Sequence, residues 1–253
     1  MQSVIRATDI ILFRFSSWTQ RTREMYDLLR RLNRGTLIIG LWSGTTPTPD
    51  AFPTYFLRGE LDRQLVAWFN TAGNQLPWER LLVVSSNTLF AAPLVEFYAP
   101  RTGDVFLPSL CQASEVPASC SDWSSAELST MRTWAKRQGV NTPLRATLPV
   151  AGAFPRAFLE WLATYHYPEV ATAALRLPLL AQLSGCNLRS APTCAPEQPF
   201  TDRFFGHAGP TPTRDELMAE LDKAHGRRAF YPHDDSLDWL LKQVNAFSEE
   251  VTK

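Results

Sequence analysis

A chain of 253 residues, 45% of them hydrophobic and 20% charged, can close a sizeable apolar core of its own, which excludes a disordered or fibrous protein. Its 25 Lys and Arg balance 25 Asp and Glu, so no net field draws it to phosphate backbones or anionic lipid, and nucleic acid is not an expected partner. The first apolar run, Ile10 to Phe13, sits between Arg6, Asp9 and Arg14 and is too short for a signal core or a membrane span; a cytoplasmic protein with no integral membrane segment is expected.

Asp9 to Phe15 (DIILFRF), Thr36 to Leu41 (TLIIGL) and Leu81 to Ser85 are continuous apolar runs of strand length, the pattern of parallel strands covered on both faces. Between the first two, Met25, Leu28, Leu29 and Leu32 recur at helical spacing; between the second and third, Leu61, Leu65, Trp68 and Phe69 do so. This β-α-β-α-β order predicts a Rossmann-type half-sheet of three adjacent parallel strands whose ends share one cleft. Beyond Pro93 the rhythm loosens, and the Pro- and Ser-rich stretch Pro108 to Ser125 reads as a long loop able to cover a site.

Ser124 and Glu127 then form a capping box for a helix with Leu128, Met131 and Trp134 or Ala135 on its apolar face, ended by Gly139. Ala146 to Val150 reads as a further strand, and Pro155 as the first residue of the helix PRAFLEWLATY. Another helical run passes through Leu175, Leu179 and Leu183 to Gly185. Thr213 and Glu216 are a second capping box, for a helix through Leu217 and Leu221 to Gly226, and the last helix runs from a Ser236 cap through Leu237, Leu240, Leu241, Val244 and Phe247.

Cys111, Cys120, Cys186 and Cys194 fall into two close pairs, open to two short disulfide loops or a zinc ion. They lack the two-to-four-residue ligand spacing of zinc sites, and the four histidines are scattered, so unpaired thiols are the preferred reading. In an open α/β sheet the ligand lies beyond the carboxyl ends of the strands, which here means Ser16 to Thr19, Trp42 to Thr46 and Ser85 to Thr88. None of these is a Gly-rich dinucleotide fingerprint or a P-loop. In GLWSG the serine stands one place late for a nucleophile elbow.

The blocks RFSSWTQRTREMYDLLRRLN, WERLLVVSSNTLFAAPL, Gly152 to Phe158, ALRLPLLAQLSG, FFGH and AFYPHDD resemble, in succession, those of GT-A-type glycosyltransferases, over most of the chain. The resemblance implies a single GT-A-like domain over 1–253, a mostly parallel Rossmann-type sheet flanked by helices. Residues 1–100 would form the nucleotide-binding half, 101–235 the acceptor half, and 236–253 a C-terminal helix. In that family the third strand usually ends in Asp-x-Asp, which holds a divalent metal on the donor diphosphate; Ser85, Ser86 and Asn87 stand there instead. A Glu often precedes the Leu-Arg-Leu-Pro-like run; here that residue is Ala174.

Two hydroxyls and an amide supply no charge to offset dehydration of Mg²⁺ or Mn²⁺, although they can hydrogen-bond a ribose or sugar. No metal ligand and no cofactor are therefore expected, and the charge of a diphosphate falls to arginines: Arg14, Arg21, Arg23 and Arg58 near the mouth, and Arg203 near FFGH. The implied activity is hexosyl or pentosyl transfer from a nucleotide sugar to a carbohydrate-type acceptor. The donor would be held by Arg14, Ser16, Ser17, Trp18, Trp42, Ser85, Ser86, Asn87, Arg203 and His207. A base must be a carboxylate within reach of the acceptor hydroxyl. Among the loop acids Asp50, Asp104, Asp122, Asp234, Asp235 and Glu169, the catalytic candidates are Asp104, Asp234 and Asp235. The competing reading is a degenerate glycosyltransferase fold kept as a non-catalytic binding or scaffolding module.

Overall fold

A computed structural model describes residues 9–44, 52–94, 98, 103–118, 121–167, 171–191, 212–223, 229–230 and 234–250. The three apolar runs are neighbouring parallel strands, as their composition predicts. β1 (Asp9–Phe15) lies between β2 (Leu37–Trp42) and β4 (Arg80–Ser85), with Ile10 opposite both Leu37 and Leu81. β3 (Thr54–Phe56) pairs in parallel with the far edge of β2. On the other side of β4, β9 (Ala151–Pro155) runs antiparallel, followed by β6 (Asp104–Pro108) and β10 (Asn187–Ala191), in the order β10-β6-β9-β4-β1-β2-β3. Two antiparallel steps return β6 and β10 to the direction of β1, so β9 is the reversed strand of a seven-stranded, mostly parallel sheet. Short antiparallel pairs join β5 (Leu89–Phe90) to β11 (Ala229–Phe230), and β7 (Cys111–Gln112) to β8 (Arg145–Ala146).

Alternation along the strands feeds two cores. Ile11, Phe13, Phe15, Leu82 and Val84 pack with Met25, Leu28 and Leu29 of α1 (Gln20–Leu32) and with Leu237, Leu240 and Leu241 of α7 (Asp234–Glu250). On the opposite face Ile10, Leu12, Leu81 and Val83 meet α2 (Leu61–Thr71), α4 (Arg156–Thr164) and α5 (Ala173–Leu183) through Leu65, Trp68, Phe158, Leu159, Leu177 and Leu180. A smaller cluster sets Met131 and Ala135 of α3 (Ser125–Arg137) on Ala146, Leu175 and Leu179. α6 (Arg214–Lys223) adds Leu217 and Leu221 to the first core. This is a mixed α/β fold with helices on both faces of the sheet. No helix among the described residues is long and apolar enough to cross a membrane.

Several sequence expectations are corrected. The strand expected at 146–150 lies at 151–155, where small residues are required: a Cβ on Gly152 would come within 3.1 Å of the Phe106 carbonyl oxygen and 2.9 Å of the Phe154 ring. Pro155 is the cap of α4 rather than its first residue, and α7 starts at Asp234, two residues before Ser236. The loop expected over 108–125 is tied down, because Cys111 and Gln112 pair with β8 and the Ala113 N–H donates to the Leu144 carbonyl at 2.8 Å. Of the cysteines, Cys111 and Cys186 are half-buried, and Cys120 and Cys194 lie outside the described residues.

Both expected capping boxes form. Ser124 accepts from the Glu127 N–H at 3.2 Å while Glu127 accepts from the Ser124 N–H at 2.7 Å, and Thr213 with Glu216 does the same for α6. The Ser124 N–H, and then its hydroxyl, hold the Glu127 carboxyl below its ordinary value. A depressed carboxyl stabilises the fold above its unfolded pKa and loses that contribution as pH falls through its folded one. Ser124→Ala is therefore expected to cost about 0.5–2 kcal/mol in urea melts at neutral pH, with the difference from the parent shrinking as the medium is acidified below the carboxylate range.

Candidate functional site

The chain leaves β1 toward β2 and β3 on one side and returns to place β4 on the other, so the sheet's switch point lies between β1 and β4. The ladder continues one residue past the strands, with the Ser86 N–H donating to the Arg14 carbonyl at 2.8 Å and the Ser43 N–H to that of Phe15 at 3.1 Å. Beyond it the strand ends diverge around a cavity of about 300 Å³. Ser16 and Ser17 line it from β1 and Ser86 and Asn87 from β4, with Thr19, Arg21 and Thr22 from the start of α1 and Asp238 from α7. Thr19 caps α1, accepting from the Thr22 N–H at 3.3 Å, and the Thr22 hydroxyl donates to the Ser17 carbonyl at 2.9 Å. The cavity thus presents hydroxyls, the amides of Gln20 and Asn87 and a helix amino terminus, whose N–H groups favour anionic or lone-pair ligands. Arg21 and Asp238 form a two-point ion pair in its wall, Nη2 to Oδ2 being 2.9 Å.

Next in sequence to the cavity residues Ser17 and Thr19, Trp18 packs against Phe15, Tyr26 and Phe52 with ring centres 5.3–6.0 Å apart, and Tyr26 stacks on Phe52 at 4.3 Å. Trp18 is thereby a packing residue of the first core. Trp42 lies against Phe56 at 4.8 Å, and its indole N–H is buried with no hydrogen-bond partner among the described residues. Gly44 brings the turn after β2 directly onto the end of β1: a Cβ there would stand 1.5 Å from the Ser16 carbonyl oxygen. The Ser85 hydroxyl accepts from the Asn87 N–H at 3.2 Å, so it shapes the turn that presents Ser86 and Asn87.

Arg14, expected among the donor contacts, alternates onto the other face of β1, where Nε donates to Gln64 at 2.7 Å and Nη1 to the Pro149 carbonyl at 2.9 Å. A charged cluster lies nearby, where α2 and α5 begin. Arg176, buried in α5, grips Asp62 with Nε and Nη2 at 2.8 and 2.9 Å, and also contacts Glu60 and the Ala171 carbonyl. Asp62 is fully buried and also accepts from the Tyr167 hydroxyl at 2.9 Å. Burial, then Asp62, pushes the Tyr167 phenol well above its ordinary value. Burial pulls Arg176 down, but Asp62 and Glu60 outweigh it and hold the guanidinium above its usual range.

The remaining expected residues separate. Asp104 begins β6, and the register Phe106–Ala153–Leu82 sets it level with Arg80, at the amino ends of the parallel strands. That is six residues, roughly 20 Å of strand, from Ser86. It is buried there and accepts from Asn187 at 3.0 Å and Arg189 at 3.1 Å. The geometry places it in a structural ion pair and not at the cleft, which corrects its reading as a catalytic acid. Asp234 and Asp235 open α7 one helical turn before Asp238; their side chains, and all of Arg203 and His207, lie outside the described residues.

Sequence reasoning missed Asp238, Glu60, Asp62, Arg176 and Tyr167. The partners are separated by 105 to 217 positions along the chain, and only an Arg in the otherwise apolar run ALRLPLL hinted at a buried counter-charge. For a divalent metal the fit at the end of β4 is poor, since Ser85, Ser86 and Asn87 carry no charge and the cleft carboxylate Asp238 is engaged by Arg21.

No family model and no curated protein matches the sequence. Among solved structures, the chain is similar in backbone course to a protein described as a nucleotide-diphospho-sugar transferase from Desulfovibrio desulfuricans, at 7% identity and a TM-score of 0.35, over 72% of this chain and 79% of that one. It is also similar to the bifunctional glycosyltransferase WbbM, at 9% identity and a TM-score of 0.39, over 76% of this chain. It spans 40% of WbbM's length. At these identities and scores the similarity is one of backbone course and carries no argument about activity.

Proposed function

We propose that this chain is a glycosyltransferase that moves a sugar from a nucleotide-activated donor to a carbohydrate-type acceptor, with no metal held by the end of β4. The observation that carries the reading is the polar cavity at the β1–β4 switch point, where Ser16, Ser17, Ser86 and Asn87 converge on the amino end of α1. Hydroxyl and amide groups match the alternating donors and acceptors of a ribose or hexose. The α1 terminus and Arg21 favour the anionic end of the same ligand. The uncharged turn at Ser85 to Asn87 also supports the second reading, a binding module of the same fold that holds a nucleotide sugar without transferring it.

A thermal-shift panel of nucleoside diphosphates and nucleotide sugars, each with Mn²⁺ and with EDTA, tests both. A ligand at a hundredfold over its Kd stabilises the native state by about 2.7 kcal/mol, which is a rise of roughly 5–10 °C for a protein of this size. The expected result is such a rise, undiminished in EDTA, with slow release of nucleoside diphosphate. Stabilisation without release supports the binding module. A rise that requires Mn²⁺ overturns the metal-free site and directs attention to Asp234, Asp235 and His207.

A further inference from the structure

The carboxylate of Glu60 ties the start of α2 to the start of α5 with one oxygen and leaves the other open. It stands at the cap of α2, yet makes no side-chain capping bond to its own helix. Its Oε2 instead accepts from the Ala173 N–H at 2.6 Å, at the start of α5, and from Arg176. Arg176 is already held bidentately by the buried Asp62, so Glu60 is not needed to neutralise it. The side chain of Glu60 remains 44% exposed, and its Oε1 has no partner among the described residues. One oxygen is therefore clamped by an N–H and a guanidinium while the other is left open, an arrangement that fixes the direction of an anionic lone pair at little further entropic cost.

Its location matters as much as its geometry. α2 follows the carboxyl end of β3, so Glu60 sits on the same edge of the sheet as Ser16 and Ser86. Gln64, one turn and about 6 Å further along α2, bonds Arg14, which lies opposite Ser85 in the register. The α5 terminus it touches is joined to the end of β6, since the Thr147 N–H donates to the Ala174 carbonyl and the Thr147 hydroxyl donates to that of Pro108. Two non-glycine residues on this edge have left-handed backbone, Ser109 at φ 53° and Ala171 at φ 65°. Such strain persists where surrounding structure over-determines it and gathers at functional sites.

Resting on the glycosyltransfer reading above, we infer that Glu60 is the general base of the reaction, facing the acceptor across the strand ends from the donor cavity. The acceptor hydroxyl oxygen bonds to the anomeric carbon, the bond from that carbon to the diphosphate oxygen breaks, and the hydroxyl proton passes to Glu60 Oε1. The nucleoside diphosphate leaves with the electron pair. The buried Arg176–Asp62 pair acts as a positioning frame and takes no proton.

The test compares the parent chain with Glu60→Gln and Glu60→Asp, using uridine, guanosine and thymidine diphosphate sugars as probes and water as the default acceptor. Melting temperature with each probe reports donor binding, and nucleoside diphosphate release over about pH 5–9 reports chemistry. Glu60→Gln is expected to keep the probe-induced rise and lose about 10²–10⁴-fold in kcat. Glu60→Asp, which keeps the charge on Arg176, should be intermediate and decides the matter if the Gln variant does not fold. A Gln variant within about threefold of the parent kcat overturns the assignment while leaving the donor reading standing. A parent chain that is neither stabilised by any probe nor releases diphosphate overturns the glycosyltransfer reading itself, and Glu60's role with it.

Discussion

Arg176→Ala is expected to lower the free energy of unfolding by about 3–5 kcal/mol, the cost of leaving one partner of a buried pair uncompensated. Asp62 has no exposed surface, and without the guanidinium its carboxylate would keep only the Tyr167 hydroxyl as a side-chain donor among the described residues. A protein of this kind has roughly 5–15 kcal/mol in total, so the variant should melt far earlier in urea at an unchanged slope. The contrast with Asp238→Ala makes the test specific. That change breaks an ion pair of similar geometry, but one whose side chains are 27% and 47% exposed, where water screens the charges and about 0–1 kcal/mol is expected. Equal losses in the two variants would show that burial does not set the cost.

The readable part of the fold and the unreadable part differ in what the solvent does to each segment. DIILFRF, LIIGLW and RLLVVS are covered on both faces except at their ends, where Leu37 is exposed, so their composition alone declares them strands, and their order declares them parallel. NLRSA of β10 is largely exposed, TYF of β3 is a three-residue edge, and AGAFP of β9 is chosen for smallness rather than apolarity. Each is a strand because of what lies beside it, which no local pattern records. The same holds at the site. Ser16, Ser17, Ser86 and Asn87 were legible as residues at the strand ends, where the cavity lies, because they are the first residues after recognisable strands. Arg14 misled because a strand's period of two turns it onto the far face, and Asp104 because nothing in DVFLP tells its amino end from a loop at the cleft.

A second large effect is expected at Gly44. In Gly44→Ala the new methyl would stand 1.5 Å from the Ser16 carbonyl oxygen and 2.6 Å from its carbon, inside the bonded radius of backbone that cannot swing aside. The turn after β2 must lift off the end of β1, at a cost of about 1–3 kcal/mol in overpacking. Ser16 lines the cavity proposed to hold the donor, so the larger expected consequence is functional: the melting-temperature rise with nucleotide sugars should be lost even at temperatures where the variant is fully folded. Near-parental stabilisation by ligand would mean that the β2 turn is not part of the binding wall. Gly139→Ala, at the open left-handed end of α3, is the matched control, costing stability through backbone strain while leaving ligand binding alone.

The reversed β9 has a consequence for how the chain acquires its shape. Arg80 and Asp9 pair across 71 positions and Asn187 and Asp104 across 83, so the sheet is built from non-local pairings, the kind that close slowly because loop entropy is lost before any contact repays it. During synthesis β1, β2 and β4 emerge first, but β4 has no neighbour on its outer side until residues 151–155 exist. At about 5–20 residues per second that interval lasts on the order of 3–13 s. Throughout it a flat apolar edge, Leu81 to Val84, is available to any other extended chain. The one reversed strand of the sheet is thus also the one that ends the nascent sheet's exposure to aggregation.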